Sequence, residues 1–265
     1  MVDQPFIQKC YADQDGQVAW VGVRMNDGDD FSRFLTIDVA ARVHDDEASK
    51  SFEAHVRGLA ATGFEQENLQ ALLRAAPQED RDWAIGEALA EVHLSREHGI
   101  DWPWNTERDK RTPLASLPGA DLVGLMADEE GAILALGEVK CSSEAKNPPQ
   151  VMYGRSGMVH QLDNLADNLG LLNMLLRWLF PRCKGSAYEE AFDSAVKRLL
   201  QSGNRAVALF GVLVRDTQPN AQDLAARGGS LADRLLCPTF CRLTALYLPC
   251  PIDQLPARIN GRGSS

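Results

Sequence analysis

Lysine is scarce in this chain, with 7 against 20 arginines in 265 residues, and acidic groups exceed basic ones to a net charge of −10. Neutralisation of phosphates by Lys and Arg supplies most non-specific affinity for nucleic acid. A chain this acidic is therefore expected to bind DNA poorly alone, unless its basic residues cluster or a partner holds the DNA. Long apolar runs are also missing. The longest, "LGLLNMLLRWLF" (169–180), is too short to span a bilayer and carries Arg177, so it reads as a buried core helix. The first residues, "MVDQPFIQKC", lack a basic segment followed by an apolar one, and no secretory signal is expected. The six cysteines (10, 141, 183, 237, 241, 250) form no CxxC pair. They read as free buried thiols of a reducing cytoplasm. No HExxH occurs, and His93 and His98 are five apart, off one helical face, so a zinc site is not expected. What remains is an ordinary globular composition, 45% hydrophobic and 24% charged.

"FIQKCYA" and "QVAWVGVRM" flank "DQDG", a hairpin signal. "FSRFLTIDVAARV" fits either a strand or a helix. The pattern predicts helices at 64–76, ending before Pro77, and at 79–99, with Ile85, Leu89 and Val92 on one side and Gly99 as the stop. A Pro-rich, charged loop follows. Two strands, "DLVGLM" and "AILALGEVK", are joined by the turn "ADEEG", and "SSEAKNPPQ" is a loop. Helices are expected at 157–180, 187–202 and around 221–236, with strands at 205–216 and 240–250. This order predicts an α/β fold, residues 79–265 forming layers around a central mixed sheet and residues 1–78 an N-terminal α/β extension.

The stretch "GADLVGLMADEEGAILALGEVKCSS" places charge at the end of an apolar strand. Strand alternation puts Glu138 and Lys140 on one face about 7 Å apart. Ala132, Leu134 and Leu136 precede them there, and Ile133, Ala135 and Val139 occupy the other face. The turn brings "DLVGLM" back antiparallel, which predicts Asp121 opposite the Glu138–Lys140 end. Two converging carboxylates suit a hard divalent cation such as Mg²⁺ or Mn²⁺. A lysine beside it can orient an attacking water and stabilise charge on phosphorus. An acidic-x-Lys triplet alone is weak, since 37 acidic residues and 7 lysines yield about one by chance. A second, Glu144-Ala145-Lys146, lies in a polar loop and reads as solvated charge. Only the first closes an apolar strand with an Asp heading its neighbour.

That combination resembles the PD-(D/E)xK, or restriction-endonuclease-like, phosphodiesterase superfamily. Its pattern maps onto Asp121 and Glu138-Val139-Lys140, preceded by a helix at 79–99 carrying Glu87 and Glu91. Glu87, which follows Gly86, fits the superfamily's Gly-Glu placement better. The motif's proline is absent, as "GAD" stands in its place. Gln161 fits a glutamine that some branches carry on the next helix, though no tyrosine follows it. The resemblance implies a Mg²⁺- or Mn²⁺-dependent DNA nuclease with Asp121, Glu138, Glu87 and the Val139 carbonyl at the metal and Lys140 at the water. Within the superfamily, the length, acidity, N-terminal extension and "GADLVGL…LGEVK" are most similar to the HamA family, nuclease subunits of the Hachiman antiphage defence system. That implies a superfamily-2 helicase partner and no membrane.

Blander readings stand beside these. Glu138 and Lys140 suit a simple strand-end ion pair, and Glu87 an exposed helix position. Trp102 and Trp104 suit base stacking or a core plug. Arg96, Arg108, Lys110 and Arg111 form a basic cluster diluted by Asp101, Glu107 and Asp109. A non-catalytic assembly or DNA-clamping subunit of the same fold, or an RNA-directed effector, would share the pattern.

Overall fold

A computed structural model of the chain describes residues 6–74, 82–109 and 119–260. Strands β1 (Ile7–Asp15) and β2 (Val18–Met25) form the expected hairpin. The ambiguous stretch after it is helical: α1 (Asp29–Arg33), a π-helical segment (Phe34–Val39) and α2 (Ala40–Val43) run on without a break. Phe31, Phe34, Leu35, Val39 and Val43 all point inward, at spacings of three and four that suit a helix and not a strand. Next come α3 (Asp46–Leu59), α4 (Gly63–Arg74) and α5 (Asp82–His98). Residues 79–81 of the predicted helix lie outside the described part. Gly99, at φ 63°, ends α5 in the left-handed conformation that a side chain would penalise.

Short β3 (Ile100–Asp101) and α6 (Thr106–Asp109) precede the hairpin of β4 (Leu122–Asp128) and β5 (Gly131–Ser142). The helical region expected at 157–180 is two helices, α7 (Met158–Asp167) and α8 (Leu169–Cys183). Asn168 divides them, its side chain accepting the Leu171 N–H as the cap of α8. Then follow α9 (Glu189–Gln201), β6 (Val207–Arg215), α10 (Ala225–Ala232), β7 (Phe240–Tyr247) and α11 (Leu255–Ile259).

All seven strands join one mixed sheet in the order β1-β2-β7-β6-β5-β4-β3. β2, β7, β6 and β5 are parallel, and antiparallel strands close both sides. β6 is buried along its whole length, as a parallel strand covered on both faces must be. The segment 1–78, expected as an extension, thus supplies two strands of the common sheet. Its helical part also covers α5. That helix is correspondingly buried nearly all round from Ala84 to Leu94, Glu87 excepted, and not on the single side expected from Ile85, Leu89 and Val92.

Two other expectations need correction. The run 169–180 is not enclosed: Leu171, Leu172, Leu175 and Leu179 are buried, while Leu169, Met174 and Phe180 are about half exposed. It is an outer-layer helix that buries one stripe. The cysteines are all free, as expected, but Cys10, Cys141 and Cys237 occupy exposed positions, not buried ones. No helix among the described residues is long and apolar enough to cross a membrane.

Trp102 and Trp104 serve the core. Trp104 is 1% exposed, donates from its indole to the Val123 carbonyl (2.7 Å) and packs edge-on against Trp178. Trp102 donates to the Glu91 carbonyl and to Ser95 Oγ. Arg96 pairs with Asp38, and Arg108 with Asp45 and Asp109, in ion pairs at the surface. Lys110 and Arg111 lie outside the described residues. Trp104→Ala is expected to destabilise the fold by ~3–5 kcal/mol, as for other large core truncations. Urea unfolding followed by far-UV circular dichroism checks this, and a loss below 1 kcal/mol would contradict the packing role.

Candidate active site

The β4–β5 register pairs Leu122 with Gly137, which sets Asp121 beside Glu138. The Asp121 N–H donates to the Gly137 carbonyl (3.0 Å), and Asp121 Oδ2 accepts the Val139 N–H (2.9 Å). The Asp121 carboxyl lies close enough to that of Glu138 for its charge to act on it. Lys140 Nζ lies 2.5 Å from Glu138 Oε1. Asp121, Glu138 and Lys140 are therefore brought together at the end of two adjacent strands.

The surroundings account for the electrostatics. Glu138 is in register with Gly211 of β6, against which Met158 and Leu162 of α7 pack, and only 2% of it is exposed. Burial raises its carboxyl from the usual 4.5 to about 8, and the charge of Asp121 adds to the effect. Lys140 opposes both. Two carboxylates this close repel unless a proton or a cation lies between them. Oxygen donors at this spacing suit Mg²⁺ or Mn²⁺. The Val139 N–H and carbonyl face the same neighbouring strand. That carbonyl is therefore directed to the side where β4 has not yet begun. The group fits a hard divalent ion.

Glu87 is placed differently. It lies on α5, which covers the opposite face of β5, with Gly86 packed on Cys141 Sγ. Its charge reaches Cys141, whose thiol is pushed up to about 11 by burial, then by Glu87 and Asp121. Among the described residues, no three His, Cys, Asp or Glu side chains form a metal-holding group. Glu91, the alternative, is fully buried and ion-paired to Arg42 at 2.7 Å. It faces the N-terminal helices. Gln161 is on α7, the helix over Glu138's face, and its buried Oε1 has no hydrogen-bond partner.

Comparison with protein-family models and with curated proteins finds no match for this chain.

Sequence reasoning missed the charged cluster at the ends of β6 and β7. Arg215 and Asp223 are both fully buried, and Tyr247 donates to Asp223 Oδ2 (2.8 Å). The signal was present: Arg215 is the only charged residue in the strand "VALFGVLVR".

A carboxyl raised in the folded state keeps its proton there, so its contribution to stability is complete below pH 4.5 and is lost as pH rises to about 8. With chelator present, the wild type is expected to lose on the order of a few kcal/mol across that window. Glu138→Gln should remove most of that slope. Denaturant midpoints between pH 5 and 8.5 measure it, and parallel slopes for the two proteins would contradict the raised carboxyl.

Proposed function

We propose that this chain is a metal-dependent nuclease that hydrolyses phosphodiester bonds in DNA on a restriction-endonuclease-like core. The observation that carries the reading is the meeting of the Asp121 and Glu138 carboxyls, with the Lys140 ammonium on Glu138, where an apolar strand pair ends. Asp121, Glu138 and the Val139 carbonyl would hold Mg²⁺ or Mn²⁺. When bound, the ion supplies Lewis acidity toward a phosphoryl oxygen and acidifies a water. Glu138 must release its proton to bind, and Lys140 stands ready to orient the nucleophilic water and to offset charge on the phosphate.

The net charge of −10 supports a partner that delivers the substrate. The resemblance to the HamA family makes that partner a superfamily-2 helicase and the setting antiphage defence. One observation favours a second reading, a non-catalytic subunit of the same fold: among the described residues no group of three His, Cys, Asp or Glu side chains forms a metal site.

The deciding experiment incubates purified protein with plasmid, linear and single-stranded DNA and Mg²⁺, with and without the protein encoded beside it. Glu138→Ala/Lys140→Ala is expected to reduce cleavage roughly 10³-fold or more while leaving the circular dichroism spectrum unchanged. Cleavage by the double variant at the wild-type rate would reject the assignment. Calorimetric titration with Mg²⁺ at pH 7 in buffers of different ionisation enthalpy should show close to one proton released per ion, as Glu138 gives up its proton. The non-catalytic reading expects no binding at all.

A further inference from the structure

β5 is held on both sides only as far as Gly137, because β4 begins at Leu122. From Glu138 to Ser142 β6 is its one strand partner among the described residues. On the other side, among the described residues, the Asp121 side chain ties it down through the Val139 N–H. The residues proposed for chemistry thus occupy the half-paired end of a strand, where backbone placement is least determined by the sheet.

Arg215 compensates for this. It closes β6 opposite Ser142 and is 0% exposed. Its Nη1 donates to the Ser142 carbonyl (3.4 Å). Its Nη2 donates to the carbonyls of Glu144 (2.7 Å) and Lys146 (3.2 Å) and to Asn147 Oδ1 (3.3 Å). All four acceptors belong to one segment, which starts two residues after Lys140. The guanidinium is balanced by Asp223, with Nε 3.5 Å from Oδ2 and both groups buried. Asp223 is held by the Tyr247 hydroxyl (2.8 Å), and that hydroxyl also meets Tyr11 of β1 at 2.9 Å. A planar fork with several donors can span such a set of acceptors, whereas an ammonium cannot.

We propose that Arg215 is a positioning residue for Lys140: by gathering the oxygens of 142–147 it fixes the free end of β5. Asp223 and Tyr247 hold the guanidinium in that orientation. The kinetic consequence rests on the nuclease reading above, while the structural one does not.

Arg215→Lys keeps a cation for Asp223 but loses the fork. Its single-turnover cleavage of saturating duplex DNA is expected to fall at least about tenfold, since small misplacements of catalytic groups are costly. The duplex concentration for half-saturation should stay within about twofold, because substrate contacts are untouched. By hydrogen exchange, the Glu144 and Gln150 amides, bonded to Ser142 Oγ and Glu144 Oε2, should open about tenfold faster. Tyr247→Phe, which leaves Arg215 in place, should shift both readouts less and in the same direction, and it serves if Arg215→Lys folds poorly. Arg198→Lys, altering the pair with Asp128 and Glu130 at the opposite end of the β4–β5 hairpin, should shift neither. Wild-type cleavage rates together with unchanged exchange in both Arg215→Lys and Tyr247→Phe would overturn the proposal. If the wild type cleaves no DNA under any condition, the nuclease reading falls by itself. The exchange data then decide alone: faster opening supports the clamp and unchanged opening refutes it.

Discussion

The pairing of β4 with β5 is the constraint on which the rest depends. Shifting this antiparallel register by one residue would turn Asp121 to the other face, away from Glu138. Packing opposes the slip: Gly124 of β4 lies against Trp102, and a one-residue shift would set the side chain of Val123 or Leu125 in that place. Hydrophobic burial therefore sets the geometry of a polar site in which it takes no direct part. Charge is tolerated there because each member of the trio answers another. Lys140 donates to the Glu138 carboxyl, and Asp121 accepts the Val139 N–H.

Much of this was legible in the residues. The β4–β5 hairpin, the apolar strand ending in Glu138 and Lys140, and the position of Asp121 all followed from period-two alternation and one short turn. The helical stretch 29–43 was ambiguous in sequence because a continuous apolar run fits both periods, and only the burial of Phe31, Phe34, Leu35, Val39 and Val43 decides it. Glu87 and Glu91 show the opposite limit. Both lie on the helix where they were expected, but which face of α5 meets β5 depends on how the N-terminal helices wrap its far side. No local pattern encodes that. The run 169–180 misled for a related reason. Composition reported its apolarity, while the layer it occupies left one stripe exposed.

The buried cluster of Arg215, Asp223, Tyr247 and Tyr11 joins the first strand of the chain to the last and both to the segment after Lys140. Its members are far apart in sequence and come together only once the parallel strands have assembled. Removing one partner would strand the others without solvent, so the group acts as a unit. It also gives the N-terminal hairpin a reason to belong to the sheet beyond edge pairing. Tyr11 supplies a hydroxyl to a centre several strands away.

The α3–α4 pair differs from the other α-helices described: across 46–59 and 63–74 no side chain is buried. Their helicity draws on local terms, such as the Asp45 cap on Ala48 and the Glu65 carboxylate accepting the Ala61 and Thr62 amides. Melting of this hairpin would cost the body of the protein almost nothing, since no core contact is broken. Thermodynamically it is a passenger, free to vary in sequence or to be exchanged for another segment while β5 and its neighbours keep their places.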